Sequence, residues 1–225
     1  MTENIPADLA ENLIGFCESR AAVYALLSRC YEAEVDAALA EEIAERCSFE
    51  TDEPALAEAF SALRASLAAR DEVALEQLAV AFNRVFFGMG PRTAQKAFPY
   101  ESVYTSEGGL MMQDAYSQVL ALYRAAEFAK NPAFREPEDH LAVELAFMQR
   151  LAERAASALR KGDAEAAEQS LRDQLAFVRQ HLLNWLPAFT RDMAVASDGG
   201  FYASLADLTM RFVQADEAAL ADVVE

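Results

Sequence analysis

The stretch Pro-Glu-Asp-His-Leu-Ala-Val-Glu-Leu-Ala-Phe-Met, residues 137–148, decides the fold class of this chain of 225 residues. Its apolar residues recur at intervals of three and four, which is the period of a helix with one buried face, and they predict a helix at Pro137–Lys161. The same period predicts further helices at Pro6–Tyr31, Asp36–Cys47, Glu53–Ala69, Glu72–Phe87, Gly109–Glu127, Ala164–Leu186, Pro187–Ala196 and Phe201–Ala215. No stretch of useful length alternates apolar and polar residues, so the sequence predicts an all-α helical bundle with essentially no sheet.

Two breaks in the helical pattern suggest how the chain is divided. The longer break, residues 88–108, is a run of about 20 residues without a helical period. Its aromatic residues favour an ordered, functional loop over a disordered one. The shorter break runs from Phe128 to Glu136. We therefore expect an N-terminal helical bundle at residues 1–130, which carries the long aromatic loop, and a C-terminal helical bundle at residues 131–225, which begins at the Asp-His motif.

The composition narrows the function classes. The formal net charge is −18, with 19 basic and 37 acidic side chains, and 53% of the residues are hydrophobic. Nucleic acids and anionic membranes need clustered Lys and Arg, and a membrane span needs a long apolar run, so we expect no nucleic-acid partner and no stable membrane insertion. The acidity serves solubility alone or favours a cationic partner, and composition leaves both open. Three cysteines without close pairing, and no signal peptide at Met1–Glu11, predict a cytoplasmic protein.

The sequence lacks the common motifs for catalysis. It has no phosphate-binding loop, no Gly-x-Ser-x-Gly nucleophile elbow and no His-Glu-x-x-His zinc motif. The two histidines are His140 and His181. His140 and Glu144 lie one helical turn apart, but no further His or Cys nearby completes a set of metal ligands. We therefore predict a protein that is not an enzyme and that holds no metal and no cofactor.

Two groups of residues allow either a structural or a binding interpretation. Phe82 and Phe86 belong to an apolar stripe of the predicted helix Glu72–Phe87, which fits the core or the wall of a groove for an apolar peptide. Glu138 and Asp139 fit a place in the first helical turn, because the helix dipole favours acidic side chains there. They equally fit ligand binding, and the sequence leaves both interpretations open.

Three blocks of the sequence resemble the TorD/DmsD family of cytoplasmic redox-enzyme maturation chaperones. They are Phe-Asn-Arg-Val-Phe-Phe-Gly-Met-Gly-Pro at residues 82–91, Pro-Tyr-Glu-Ser-Val-Tyr at residues 99–104, and the stretch from Glu136 to Met148. The order and spacing of these blocks match the family, and so does the chain length. The resemblance implies two helical bundles joined by a hinge near the Asp-His motif. It also implies a monomer or a domain-swapped dimer.

The resemblance implies a partner as well. Members of the family bind the twin-arginine signal peptide of a molybdenum-cofactor oxidoreductase subunit, delay its export and assist cofactor insertion. The expected partners are therefore that leader peptide and the apo form of a molybdopterin oxidoreductase catalytic subunit. One alternative is an assembly factor or adaptor that binds a folded partner protein, as in nitrate-reductase assembly chaperones. Another is an enzyme with an unfamiliar helical site.

The candidate peptide-binding residues form a polar and an apolar end of a groove. At the polar end, Asp139 would accept hydrogen bonds from a leader arginine, and His140 would orient its neighbours. Phenylalanine side chains would line the apolar end. The full set is Phe82, Phe86, Phe87, Tyr100, Glu101, Ser102, Tyr104, Glu138, Asp139 and His140.

Overall fold

A computed structural model describes residues 6–46, 51–89 and 96–225, and its helices account for most of the described chain. The predicted helix end at Cys47 and the Gly90-Pro91 turn lie outside the described residues. The described helices are α1 (Ala7–Glu32), α2 (Ala37–Arg46), α3 (Pro54–Ala65), α4 (Glu72–Phe86), α5 (Glu101–Thr105), α6 (Asp114–Ala125), α7 (Leu141–Arg160), α8 (Ala164–Phe177), α9 (Leu186–Ser197) and α10 (Gly200–Val224).

The central pair of the bundle is α1 and α7, which pack along each other more extensively than any other pair of described helices. Helix α8 covers another side of α7, and α10 contacts α3, α8 and α9. One apolar core runs through all of these helices. A buried ion pair joins the two ends of the chain, because the Arg20 guanidinium donates to the Asp216 carboxylate, which also accepts from the Tyr24 hydroxyl at 2.6 Å.

Local signals in the sequence explain several helix starts. The Asp71 carboxylate accepts from the Ala74 amide at 2.9 Å, and the Asp163 carboxylate accepts from the Ala166 amide at 3.1 Å. These side chains cap α4 and α8 by satisfying amides that have no partner within the helix. Pro54 occupies the first turn of α3, where its missing N–H costs nothing.

Several predicted boundaries were wrong. Helix α10 continues to Val224 rather than ending at Ala215, and helix α3 ends at Ala65 rather than Ala69. Helix α7 begins at Leu141 rather than Pro137, so Glu138 and Asp139 precede the helix and do not occupy its first turn. Helix α6 begins at Asp114 rather than Gly109. The long helix predicted at Ala164–Leu186 ends at Phe177 and continues as a π-helical turn over residues 178–182. The expected loop at residues 88–108 contains the short helix α5.

The all-helical prediction is confirmed for the described part of the chain, which contains no strand. Its nearest approach to a sheet is a single antiparallel bridge between Tyr100 and His140. The division at residue 130 and the hinge stay predictions. None of the described helices combines the length and the apolar character that a membrane crossing requires.

Candidate functional site

Two segments that are distant in the sequence lie side by side at the start of α5 and α7. The Glu101 amide donates to the Asp139 carbonyl at 2.9 Å, and the Leu141 amide donates to the Pro99 carbonyl at 2.9 Å. These two hydrogen bonds form the antiparallel bridge and hold the N-termini of both helices at one place. The motif blocks around residues 99–104 and 136–148 therefore form one structural unit.

Asp139 precedes α7 in the sequence, is fully buried, and caps the start of α5. Its Oδ2 atom accepts from the Ser102 amide at 3.1 Å, which gives an acceptor to the first turn of α5. Burial raises the pKa of Asp139, and hydrogen bonds from Ser102 oppose that rise. The second oxygen, Oδ1, is buried and has no hydrogen-bond partner among the described residues.

His140 is the N-cap of α7 and is held as a neutral ring. Its Nδ1 atom accepts from the Ala142 amide at 3.1 Å, so that nitrogen carries no proton. Burial, with a smaller contribution from nearby Lys130, lowers the pKa of His140 to about 3. The ring stands edge-on to Tyr100 and to Phe134, with centroids 5.1 and 5.0 Å away. His140 therefore positions its neighbours and brings no charge to the site.

Glu101 connects this unit to the segment that follows α8. Its two oxygens face two donors, Asn184 Nδ2 at 2.7 Å from Oε1 and His181 Nδ1 at 3.0 Å from Oε2. Glu101 and His181 are both buried. A carboxylate that is removed from water needs hydrogen-bond donors, and both donors to Glu101 come from residues 181–184, directly after α8.

Glu144, on α7, is a second buried acid in contact with the same group. Burial, together with the nearby carboxyls of Glu101 and Asp139, raises the pKa of Glu144 well above its usual range. The Trp185 indole N–H, 3.3 Å from Glu144 Oε2, opposes this rise. A protonated Glu144 can donate a hydrogen bond to Glu101, which relieves the repulsion between them. No group of His, Cys, Asp and Glu within the described ranges is arranged to hold a metal ion.

A pocket of about 200 Å³ opens beside this polar group. Its walls are mostly aromatic, and the rings of Phe82 and Phe86 meet edge-on at a centroid distance of 5.0 Å. Phe87, the residue after α4, is 49% exposed, so the pocket continues to the protein surface. The lining residues are Tyr31, Glu32, Phe82, Phe86, Phe87, Pro99, Tyr100, Phe134, Glu136 and His140.

Two carboxylates, Glu32 and Glu136, accompany these aromatic walls. The Tyr100 hydroxyl donates to Glu136 Oε2 at 2.5 Å, and Asn131 Nδ2 donates to Glu32 Oε1 at 3.3 Å. Lys130 lies beside them, but it donates to the Glu136 carbonyl and pairs with Glu138, 3.3 Å from its Oε1. The two carboxylates that line the pocket thus have no cationic partner among the described residues, and the pocket combines apolar walls with negative charge.

The structure brings half of the predicted site residues together. Phe82, Phe86, Phe87, Tyr100 and His140 line the pocket. Glu101, Ser102 and Asp139 are buried and do not line it, and Glu138 pairs with Lys130. Tyr104 is directed elsewhere, with its ring 5.6 Å from that of Trp185 and 5.9 Å from that of Phe189.

The sequence-based candidate set lacked several residues that complete the site. Glu32 ends α1 and Phe134 lies in the segment before the Asp-His motif, and nothing in their local sequence indicates that they meet at a pocket. Glu144 was considered only as a metal ligand. Its position between Leu141 and Leu145 on the apolar stripe of α7 was a usable signal, because a carboxyl at a core position requires partners.

Comparisons with known proteins agree with the motif blocks. A family model described as nitrate reductase delta subunit matches residues 50–191. The chain is similar to the chaperone protein TorD of Photobacterium profundum, with 37% identity over 163 residues, which cover 72% of each chain. It is 29% identical to TorD of Aliivibrio fischeri over 93% of this chain and 98% of that relative. It is 28% identical to TorD of Shewanella piezotolerans over 88% of this chain and 91% of that relative.

Proposed function

Because the chain belongs to the TorD family of chaperones, which are not enzymes, we propose that it binds the twin-arginine leader peptide of a molybdopterin oxidoreductase catalytic subunit. In this proposal the chaperone acts in the cytoplasm on the apo subunit, delays its export and assists cofactor insertion. The observation that carries the proposal is the pocket with aromatic walls and two carboxylates.

The aromatic part of the pocket suits the apolar stretch of a leader peptide. A volume of about 200 Å³ holds one large side chain, not a folded element. Phe87 is half exposed, so contact with a peptide removes apolar surface from water and stabilises the complex by about 25 cal/mol for each Å² buried. Phe82 and Phe86 already pack in the core, which fixes the shape of the wall.

Glu32 and Glu136 suit the arginine pair of the leader. A guanidinium presents a planar fork of donors that matches a carboxylate, and charge-assisted hydrogen bonds of this kind are about twice as strong as neutral ones. The net charge of −18 adds long-range attraction for a basic segment. Both features indicate that the acidic composition serves to attract a cationic partner and not only to keep the protein soluble.

In this proposal Asp139, Glu101 and Ser102 hold the two motif segments together behind the pocket. Direct contact between Asp139 and a leader arginine, as predicted from the sequence, is the competing possibility that substitution of Asp139 tests. Asp139 is fully buried, so that contact requires the segment before α5 to separate from the segment before α7. Tyr104 and Glu138 remain predicted binding residues, and their contacts in the free protein leave them outside the pocket.

A separate exposed apolar surface favours the alternative function, an adaptor that binds a folded partner protein. Leu110, Met111 and Met112, in the turn before α6, are 59%, 42% and 56% exposed. Ser106 fixes this turn, because its Oγ accepts from the Leu110 amide at 3.0 Å. Consecutive exposed apolar side chains, and methionine in particular, are typical of adaptable protein-binding surfaces. An adaptor function predicts binding of the subunit without its leader.

Calorimetric titration with candidate leader peptides tests the proposal. We expect Phe87→Ala and Glu136→Gln each to weaken binding by about fivefold or more, since one removes apolar contact area and the other a charge-assisted hydrogen bond. Val80→Ala and Glu76→Gln are matched controls, because both side chains are exposed on α4 and neither lines the pocket.

The peptide provides a second control. Replacing its arginine pair by lysine keeps the charge and removes the planar fork, and we expect a clear loss of affinity. Equal binding by the leader and its lysine variant, with no effect of either pocket substitution, contradicts the proposal. Binding of the leaderless subunit alone would support the adaptor function instead.

A further inference from the structure

A second cavity, of about 240 Å³, lies between α6, α7 and α8 and shares no lining residue with the aromatic pocket. Its apolar lining includes Leu122 of α6, Phe147 and Leu151 of α7, and Phe177 of α8. The rings of Phe147 and Phe177 meet edge-on at 4.9 Å. Polar side chains occur where the cavity meets solvent, and the proposed leader site makes no use of this space.

Of the polar residues that line the cavity, His181 is buried, whereas Arg154, Asp173 and Gln180 are exposed. The Glu101 carboxyl accepts from Asn184 at one oxygen and faces His181 Nδ1 at the other. Because a carboxylate only accepts, Nδ1 carries a proton in this contact. In the Nδ1–H tautomer the other nitrogen, Nε2, is an acceptor, and none of the described residues forms a hydrogen bond with it.

The backbone that carries His181 is unusual. Residues 178–182 form a π-helical turn, which widens the helix by one residue per turn and is often found at functional sites. The turn places His181 between Glu101 and the cavity, with the His181 ring 5.0 Å from that of Phe177. The cavity thus combines an apolar lining with one buried imidazole, whereas its other polar lining residues are exposed.

We propose that this cavity receives the phenol side chain of a tyrosine on a partner polypeptide, with the phenol hydroxyl donating to His181 Nε2. An engineered cavity of about 150 Å³ accepts benzene, so a space of about 240 Å³ suffices for a phenol ring. It is smaller than the roughly 300–1,000 Å³ of pockets that bind whole small molecules or cofactors. Arg154, Asp173 and Gln180 at the opening offer both donors and acceptors, which suits the backbone on either side of a tyrosine.

The test compares ligands that differ by one hydroxyl group. N-acetyltyrosinamide, N-acetylphenylalaninamide and 4-methylphenol are titrated into the full-length protein, and binding is followed by amide chemical shifts in two-dimensional NMR. We expect N-acetyltyrosinamide to bind about tenfold tighter than the phenylalanine analogue, because a buried acceptor is left unpaired by a ligand that lacks the hydroxyl. Equal affinities overturn the proposal. Binding of 4-methylphenol without binding of the amide also overturns it, since the site would then take a free phenol.

A substitution in the cavity wall locates the binding. Ala176 is exposed on α8 and lines the cavity, so Ala176→Phe fills the space without disturbing the core. We expect this variant to lose tyrosine-amide binding, and the matched control Ala166→Phe, exposed on α8 outside the cavity, to retain it. Retained binding by Ala176→Phe contradicts the proposal. Leader-peptide affinity should stay unchanged in both variants, so the cavity and the leader site are tested separately.

Discussion

Substitution of Asp139 separates a structural role of the motif from direct contact with a ligand. Asp139→Ala removes the acceptor of the Ser102 amide and leaves that amide buried in the first turn of α5. A buried donor without a partner costs about 1–3 kcal/mol. Asp139→Asn keeps a side-chain oxygen in place and removes one negative charge beside Glu101 and Glu144, so its net cost should stay below about 0.5 kcal/mol.

Thermal melting and leader titration measure the two consequences. For a chain of this size, 1 kcal/mol corresponds to a shift in melting temperature of about 2–4 °C. We therefore expect Asp139→Ala to melt about 2–12 °C below the wild type and Asp139→Asn to melt within about 2 °C of it. Since Asp139 is buried behind the pocket, we expect leader affinity of the Asn variant to stay within about threefold.

One result would refute this reasoning. If Asp139→Asn weakens leader binding tenfold or more while its melting temperature is unchanged, the carboxylate itself contacts the leader. The motif segments must then separate on binding, and the arginine site includes Asp139. Far-ultraviolet circular dichroism of the same samples controls for loss of helix.

Further predictions concern pH, the core and assembly. His140 has a pKa near 6.5 in the unfolded chain and about 3 in the folded protein, so the stability falls as the pH drops from about 6.5 toward 3. The His140→Asn variant keeps a capping acceptor but does not titrate there, so its melting temperature should depend less on pH in that range. The pKa of Glu144 is raised in the folded protein, so the folded state loses stability as the pH rises above about 4.3, where the unfolded chain begins to ionise. The Glu144→Gln variant cannot ionise and should not show this loss. Asp216→Ala should cost about 3–5 kcal/mol in urea unfolding by leaving Arg20 unpaired, and a double replacement by Met and Leu should recover most of it. Size-exclusion chromatography should show monomer and domain-swapped dimer, and a single species at every concentration would contradict that prediction.

The helices were predictable because their period and caps are local. Asp71 and Asp163 fix the starts of α4 and α8 from positions next to the helix. Helix α5 was missed for a physical reason. Five residues are too few to show a helical period, and its first turn depends on Asp139, 37 positions away in the sequence. The start of α7 was misplaced because Pro137 suits a first helical turn, whereas the cap is the His140 ring.

The candidate site was predictable only in part. The motif blocks identified the aromatic residues of α4 and the polar residues before α5 and α7, and five of these residues line one pocket. The burial of Asp139 could not be read from the sequence, since an acid near a helix start is usually exposed. Glu32 and Phe134 join the pocket through tertiary packing, which no local pattern encodes.

The ion pair between Arg20 and Asp216 has a consequence for synthesis of the chain. Its two partners are separated by 196 positions, and α1 also packs along α7 in the second half of the sequence. At about 5–20 residues per second, translation delivers Asp216 on the order of 10–40 s after Arg20. Until α7 has been translated the apolar face of α1 has neither partner, and until Asp216 follows the Arg20 charge is unpaired, so the nascent protein is itself exposed to aggregation during that interval.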